Sequence, residues 1–163
     1  MKNSKIIIFM PSINKGGAEK NLFIIVNFLA QKFEKISVIT ASKDLKKKFA
    51  KNVELLSPSS FFGEKFGRHV RTLISVVILI KSFFKEKNVL ILSFQSNIFA
   101  IVLSKIFKKK IITRSNSFPN YWTKNNLKKY LFKKIYPLAD HSIVNSLETK
   151  KDFLKYYKIK STC

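Results

Sequence analysis

Short runs of consecutive apolar residues alternate along the chain with longer stretches whose apolar residues recur at every third or fourth position. The first pattern marks a strand buried on both faces, the second an amphipathic helix. The opening run, Ile6 to Met10, leads into a loop of Pro, Ser, Asn and two glycines. A helix follows, with Ala18, Leu22, Ile25, Val26, Leu29 and Phe33 on one face. Further strands are expected at Ile36–Ala41, Val53–Ser57, Val89–Ser93, Lys109–Thr113 and His141–Asn145. Further helices are expected at Gly67–Lys85, Gln95–Phe107, Lys124–Ile135 and Leu147–Tyr157, with a short basic helix or turn over Lys43–Lys51. The middle of the longest helix, LISVVILI, is apolar on nearly every face, which predicts a crossover helix buried against a sheet.

Strand alternating with helix argues for an α/β fold, a parallel sheet with right-handed crossovers. At 163 residues the chain is one domain by length, read here as 1–160. Ligands of such sheets lie outside the carboxyl ends of the strands. That rule gathers Asn14 to Gly17, Ser57 to Phe62, Gln95 and Ser96, Arg114 to Asn116, and Ser146 at one edge.

Composition adds a strong charge, +23, which attracts anionic lipid, nucleic acid or phosphorylated substrates. Solvated lysines from an A/T-rich coding bias would give the same number. The single cysteine, Cys163, permits no disulfide framework. No signal peptide is expected, because the N-terminus enters a strand within about five residues with no small-residue cleavage site before the glycine loop, and no membrane span, because the run Leu73 to Ile80 is short and bounded by Arg71 and Lys81.

Gly16 and Gly17 are half of the chain's four glycines, set where strand gives way to helix. The pair suits a tight turn, or a backbone that must approach an anion at a helix start. It is neither the G-x-G-x-x-G fingerprint nor a P-loop. Glu19 falls in the first turn, where its charge complements the helix dipole. Arginine is rare among the 32 basic residues, so Arg114 marks a place for a planar fork of donors, on a ligand or in a salt bridge. Asn116 stands beside it. Asp140 and His141 are neighbours on an extended segment and point to opposite faces, which assigns them structural roles. The two histidines and one cysteine offer no metal-ligand spacing, and no nucleophile elbow is present.

Three stretches together resemble the amino-terminal domain of the retaining GT-B glycosyltransferases of family 4. They are KIIIFMPSINKGGAEKNLFIIVNFLA, VLILSFQSNIFAIVLSKIFKKKIITRSNS and YPLADHSIVNSLETKKDFLKYY, which span nearly the whole chain. The resemblance implies a Rossmann-like parallel sheet with helices on both faces, one half of a GT-B fold. It implies an acceptor-side domain whose Gly16, Gly17 and Ala18 face the donor diphosphate and sugar. Relatives place a histidine after the fifth strand; here Arg114 stands there, so Arg114 and Asn116 become acceptor-side contacts, with Asn14, Gln95, Ser96 and Ser146 around the cleft. The donor is a nucleotide-sugar, with no metal or other cofactor, and the acceptor a glycan or lipid-linked glycan of the bacterial envelope, as in polysaccharide or lipopolysaccharide synthesis. The implied place is cytoplasmic, peripheral on the inner face of an anionic membrane. A second, donor-binding domain is absent from the sequence. The chain alone is therefore expected to be inactive, with a second chain as one source of the missing half. The rival readings are a basic nucleic-acid-binding protein and a non-catalytic membrane-associated module; the glycosyltransferase reading expects no nucleic acid.

Overall fold

The computed structural model describes residues 5–13, 17–42, 45–58, 67–115, 125–157 and 161–162. Seven parallel strands form one sheet in the order β3-β2-β1-β4-β5-β6-β7. They are β1 Lys5–Phe9, β2 Ile36–Ile39, β3 Val53–Leu56, β4 Val89–Ser93, β5 Lys110–Ser115, β6 His141–Val144 and β7 Ser161–Thr162. The helices are α1 Gly17–Ala30, α2 Arg68–Lys85, α3 Asn97–Ile106, α4 Asn126–Ile135 and α5 Leu147–Tyr157. The basic segment after β2 is reduced to one 3₁₀ turn, Lys46–Lys48. This is the Rossmann-like arrangement expected, with helices on both faces and the strand order reversing between β1 and β4.

The run Ile6 to Phe9 is almost wholly buried because both its faces are covered. Odd positions, Ile7 and Phe9, join a core with Leu79 of α2, Ile101 of α3 and Phe153 of α5. Even positions, Ile6 and Ile8, join a second core with Leu22 and Val26 of α1. So α1 lies on one face, and α2, α3, α4 and α5 on the other. Rings of Tyr136, Phe153 and Tyr157 close the α5 end, with Tyr136 and Tyr157 stacked at 5.3 Å.

Two expectations are corrected. The helix α2 is not buried all round: Leu73 is 59% and Val77 50% exposed, while Thr72, Ser75 and Ser82 face the sheet. Small side chains let the helix lie close, and the hydroxyls of Thr72 and Ser82 are satisfied by the carbonyls of Arg68 and Ile78, one turn back. Leu79 and Phe83 enter the core beside them, while Leu73, Val77 and Phe84 are left outside. Second, β5 runs on through Arg114 and Ser115, where a loop was expected, because pairing with β6 continues to Arg114↔Ile143 and Ser115↔Val144. The two-residue β7 carries no apolar run and was not anticipated.

Candidate functional site

The carboxyl edge at the β1/β4 reversal is the point where this topology opens a crevice. Its first leg, Met10 to Ile13, is buried and pinned. Met10 N–H donates to the Ile39 carbonyl at 3.1 Å, and Ala41 N–H to the Pro11 carbonyl at 2.9 Å. The Ser42 hydroxyl accepts from Ile13 N–H at 2.9 Å and donates to the Ile13 carbonyl at 3.2 Å. These bonds fix where the glycine loop departs.

Gly17 opens α1, is exposed, and has open space where a side chain would stand. No described protein atom therefore requires glycine at 17, which leaves that space for a turn or a ligand. Ala18 is half-buried beside it, and Glu19 is buried in the first turn. Asn14, Gly16, Asn116 and the aromatics Phe61 and Phe62 lie outside the described residues.

Arg114 sits on the face of the sheet that carries α1. Its guanidinium lies over the Phe94 ring at 5.3 Å, and one nitrogen donates to Asn145 Oδ1 at 3.4 Å. The other, Nη1, is buried and has no hydrogen-bond partner among the described residues. Burial pushes its pKa below the ordinary arginine value. Among the described residues Arg114 forms no salt bridge, the structural role weighed for it from the sequence. A cation over an aromatic ring, with a buried donor that no described residue satisfies, is a group that a phosphate or carboxylate oxygen would complete.

The Arg114 backbone is held by Asn97, which sequence reading passed over. Asn97 is 8% exposed. It accepts from Ser93 Oγ at 2.7 Å and donates to the Arg114 carbonyl at 3.1 Å and the Tyr136 hydroxyl at 3.3 Å. Burial raises the Tyr136 pKa, so its hydroxyl stays protonated. Ser96, half-buried, takes a left-handed conformation at φ 54°, a strained one for serine, at the turn from β4 to α3. Gln95 is half-buried next to it, its carbonyl accepting from Ser93 Oγ. Ser146 is committed to capping α5: its Oγ accepts from Thr149 N–H at 3.1 Å. Thus Gly17, Ala18, Gln95, Ser96, Arg114 and Ser146 all lie along the same edge.

Asp140 is structural. Its carboxylate accepts from Ile111 N–H at 2.7 Å and from Lys105 at 3.0 Å. Burial alone would raise its pKa, but these bonds outweigh it and hold it below the usual range. At the opposite, amino end of the strands, Lys5 bridges Glu54 and Glu86 at 3.1 Å each, lining a cavity of about 180 Å³. Among the described residues no group of His, Cys, Asp and Glu could hold a metal ion.

No family model and no curated protein matches the chain. Solved structures do. HepE of Anabaena, in complex with UDP and glucose, superposes with a TM-score of 0.68 at 16% identity, over 98% of this chain and 43% of its own. A glycosyltransferase of Rickettsia africae gives 0.65 at 16% identity, over 98% and 42%. A UDP-glucosyltransferase of Polygonum tinctorium capable of glucosylating indoxyl gives 0.59 at 13% identity, over 94% and 50%. The chain spans about half, or less, of the length of these neighbours. The fold is that of one Rossmann-like half of the GT-B glycosyltransferases.

Proposed function

We propose that this chain is the acceptor-side half of a retaining glycosyltransferase that uses a nucleotide-sugar donor, of the family 4 kind. Its acceptor is a glycan or lipid-linked glycan of the bacterial envelope, met at the inner face of the membrane. The donor-binding half is supplied by residues outside this sequence, in the same polypeptide or in a second chain.

The observation that carries this reading is Arg114, its guanidinium over Phe94 at the carboxyl edge and its buried Nη1 satisfied by no described residue. There it serves a phosphate-bearing substrate. Its neighbours along that edge are the first turn of α1, where a helix start favours an anion, and open space at Gly17. Backbone N–H groups at Gly16 and Gly17 offset charge on the leaving diphosphate, and Ala18 lies beside the transferred sugar. Arg114 and Asn116 are the acceptor-side contacts, with Asn14, Gln95, Ser96 and Ser146 as the cleft residues around them. The likeness to HepE, solved with UDP and glucose, supports the choice of donor.

The test uses the protein in its native membranes. Membranes are incubated with a panel of radiolabelled UDP- and GDP-sugars, with and without Arg114→Met at the native locus. The expected result is label entering the lipid or polysaccharide fraction from one donor, and about a 100-fold loss in the variant, the scale of one charge-stabilising donor removed. Unchanged labelling in Arg114→Met overturns the assignment.

A further inference from the structure

The outward sides of α2, α3 and α4 form a second feature, remote from the carboxyl edge in chemistry. The three helices share the sheet face opposite α1, and α3 packs against both α2 and α4. On α2, Val70, Leu73, Val77 and Phe84 make one stripe, and Phe84 is 76% exposed. Their spacing is that of a helix face prepared for burial. The neighbouring α3 adds exposed Phe99 and Ile106, and α4 adds Leu127, Tyr130 and Leu131. Apolar side chains on three adjacent helices make a layer, not the scattered exposure of an ordinary surface.

Charge identifies the occupant. The three helices contain no Asp or Glu, and carry four, one and four Lys or Arg respectively. A second copy would bring the same positive layer against this one and be repelled. An anionic bilayer offers the complement: lysines meet headgroups while the large apolar residues enter the boundary with the acyl chains. We propose that the α2–α3–α4 layer docks on an anionic lipid bilayer, with the α2 stripe inserted and the α4 lysines Lys128, Lys129, Lys133 and Lys134 on headgroups. This deepens the membrane part of the proposed function and rests on none of its sugar chemistry. Among the described residues no helix is long and apolar enough to cross a membrane, so attachment by such a layer is at the surface.

The test is co-sedimentation of the full chain with phosphatidylcholine vesicles, with and without phosphatidylglycerol, at physiological salt. No nucleotide-sugar is present, so the result is separable from that of the labelling experiment. The chain is expected to follow the anionic vesicles only. Leu73→Ser, Val77→Ser and Phe84→Ser together should weaken partitioning by about 100-fold, each removing part of an inserted side chain. Replacing the four α4 lysines by Gln should weaken it about fivefold per lysine. Ile24→Ser with Phe28→Ser, exposed on α1 on the other face, should leave it unchanged. Should the serine variant fail to fold by circular dichroism, the glutamine variant carries the test alone. The proposal is overturned by equal binding to neutral vesicles, or by vesicle binding that survives both α2 and α4 variants. Loss in the α1 variant instead overturns it too. So does a dimer abolished by the α2 variant, or tight binding of a random oligonucleotide, when vesicles are not bound.

Discussion

Asn97→Ala should be among the most destabilising single changes at the carboxyl edge. The amide is buried and makes three hydrogen bonds, to Ser93, the Arg114 carbonyl and the Tyr136 hydroxyl, at 2.7, 3.1 and 3.3 Å. These tie β4, β5 and the turn after α4 together at one point. At roughly 1 kcal/mol net for each bond, the loss is about 3 kcal/mol. For a chain of this size that lowers the melting temperature by roughly 9 °C. Ser93 retains a bond to the Gln95 carbonyl, and Tyr136 a long one to Ser115, which keeps the loss from being larger. The assay is urea denaturation followed by circular dichroism, with wild type and variant compared at constant slope. A change below about 0.5 kcal/mol, the range of ordinary surface substitutions, would refute the argument that Asn97 clamps this edge.

Other changes separate structural from ligand roles. Asp140→Asn keeps an acceptor for Ile111 N–H but loses the half-exposed ion pair with Lys105, a cost of about 0.5–1 kcal/mol at neutral pH. The depressed Asp140 pKa stabilises the fold above the unfolded carboxyl value, about 3.9, and that contribution is lost as pH falls through the folded value. Melting curves of wild type and Asp140→Asn should therefore converge on acidification below about pH 4, and a gap that stays constant would contradict the assignment. Gly17→Ala should leave the melting temperature within about 2 °C of wild type, since the added methyl meets open space in a first helical turn. A large loss of stability there would show that the glycine serves the fold itself.

Much of the architecture is written in the apolar runs. Ile6 to Phe9 and Val89 to Leu92 are continuous, and Ile36 to Ile39 is broken only by Ser37, because both faces of a parallel sheet are covered. The orientation of α2 is not legible. LISVVILI is apolar on nearly every face, and the fold hides the side of Thr72, Ser75, Leu79, Ser82 and Phe83. The extent of β5 was equally hidden, because polar Arg114 and Ser115 stay in the strand through pairing with a β6 that lies far along the chain. Arg114 itself stood out by its rarity among lysines. Asn97 gave no such signal: it is one polar residue at a helix start, and its partners Ser93, Arg114 and Tyr136 come together only in the fold.

The proposed function stands or falls on whether the carboxyl edge, with Arg114 as its cation, receives a phosphate-bearing substrate. The direct measurement is a titration of the isotope-labelled chain with a short-chain isoprenyl diphosphate and, separately, with UDP-glucose, followed by amide chemical shifts. Shifts are expected to group at Met10 to Ala18, Phe94 to Asn97, Arg114 and Ser115, and Asn145 and Ser146, and to be abolished in Arg114→Met. Shifts grouped instead around Lys5, Lys81 and Lys85 at the other end of the strands, or a pattern indifferent to Arg114→Met, would contradict it.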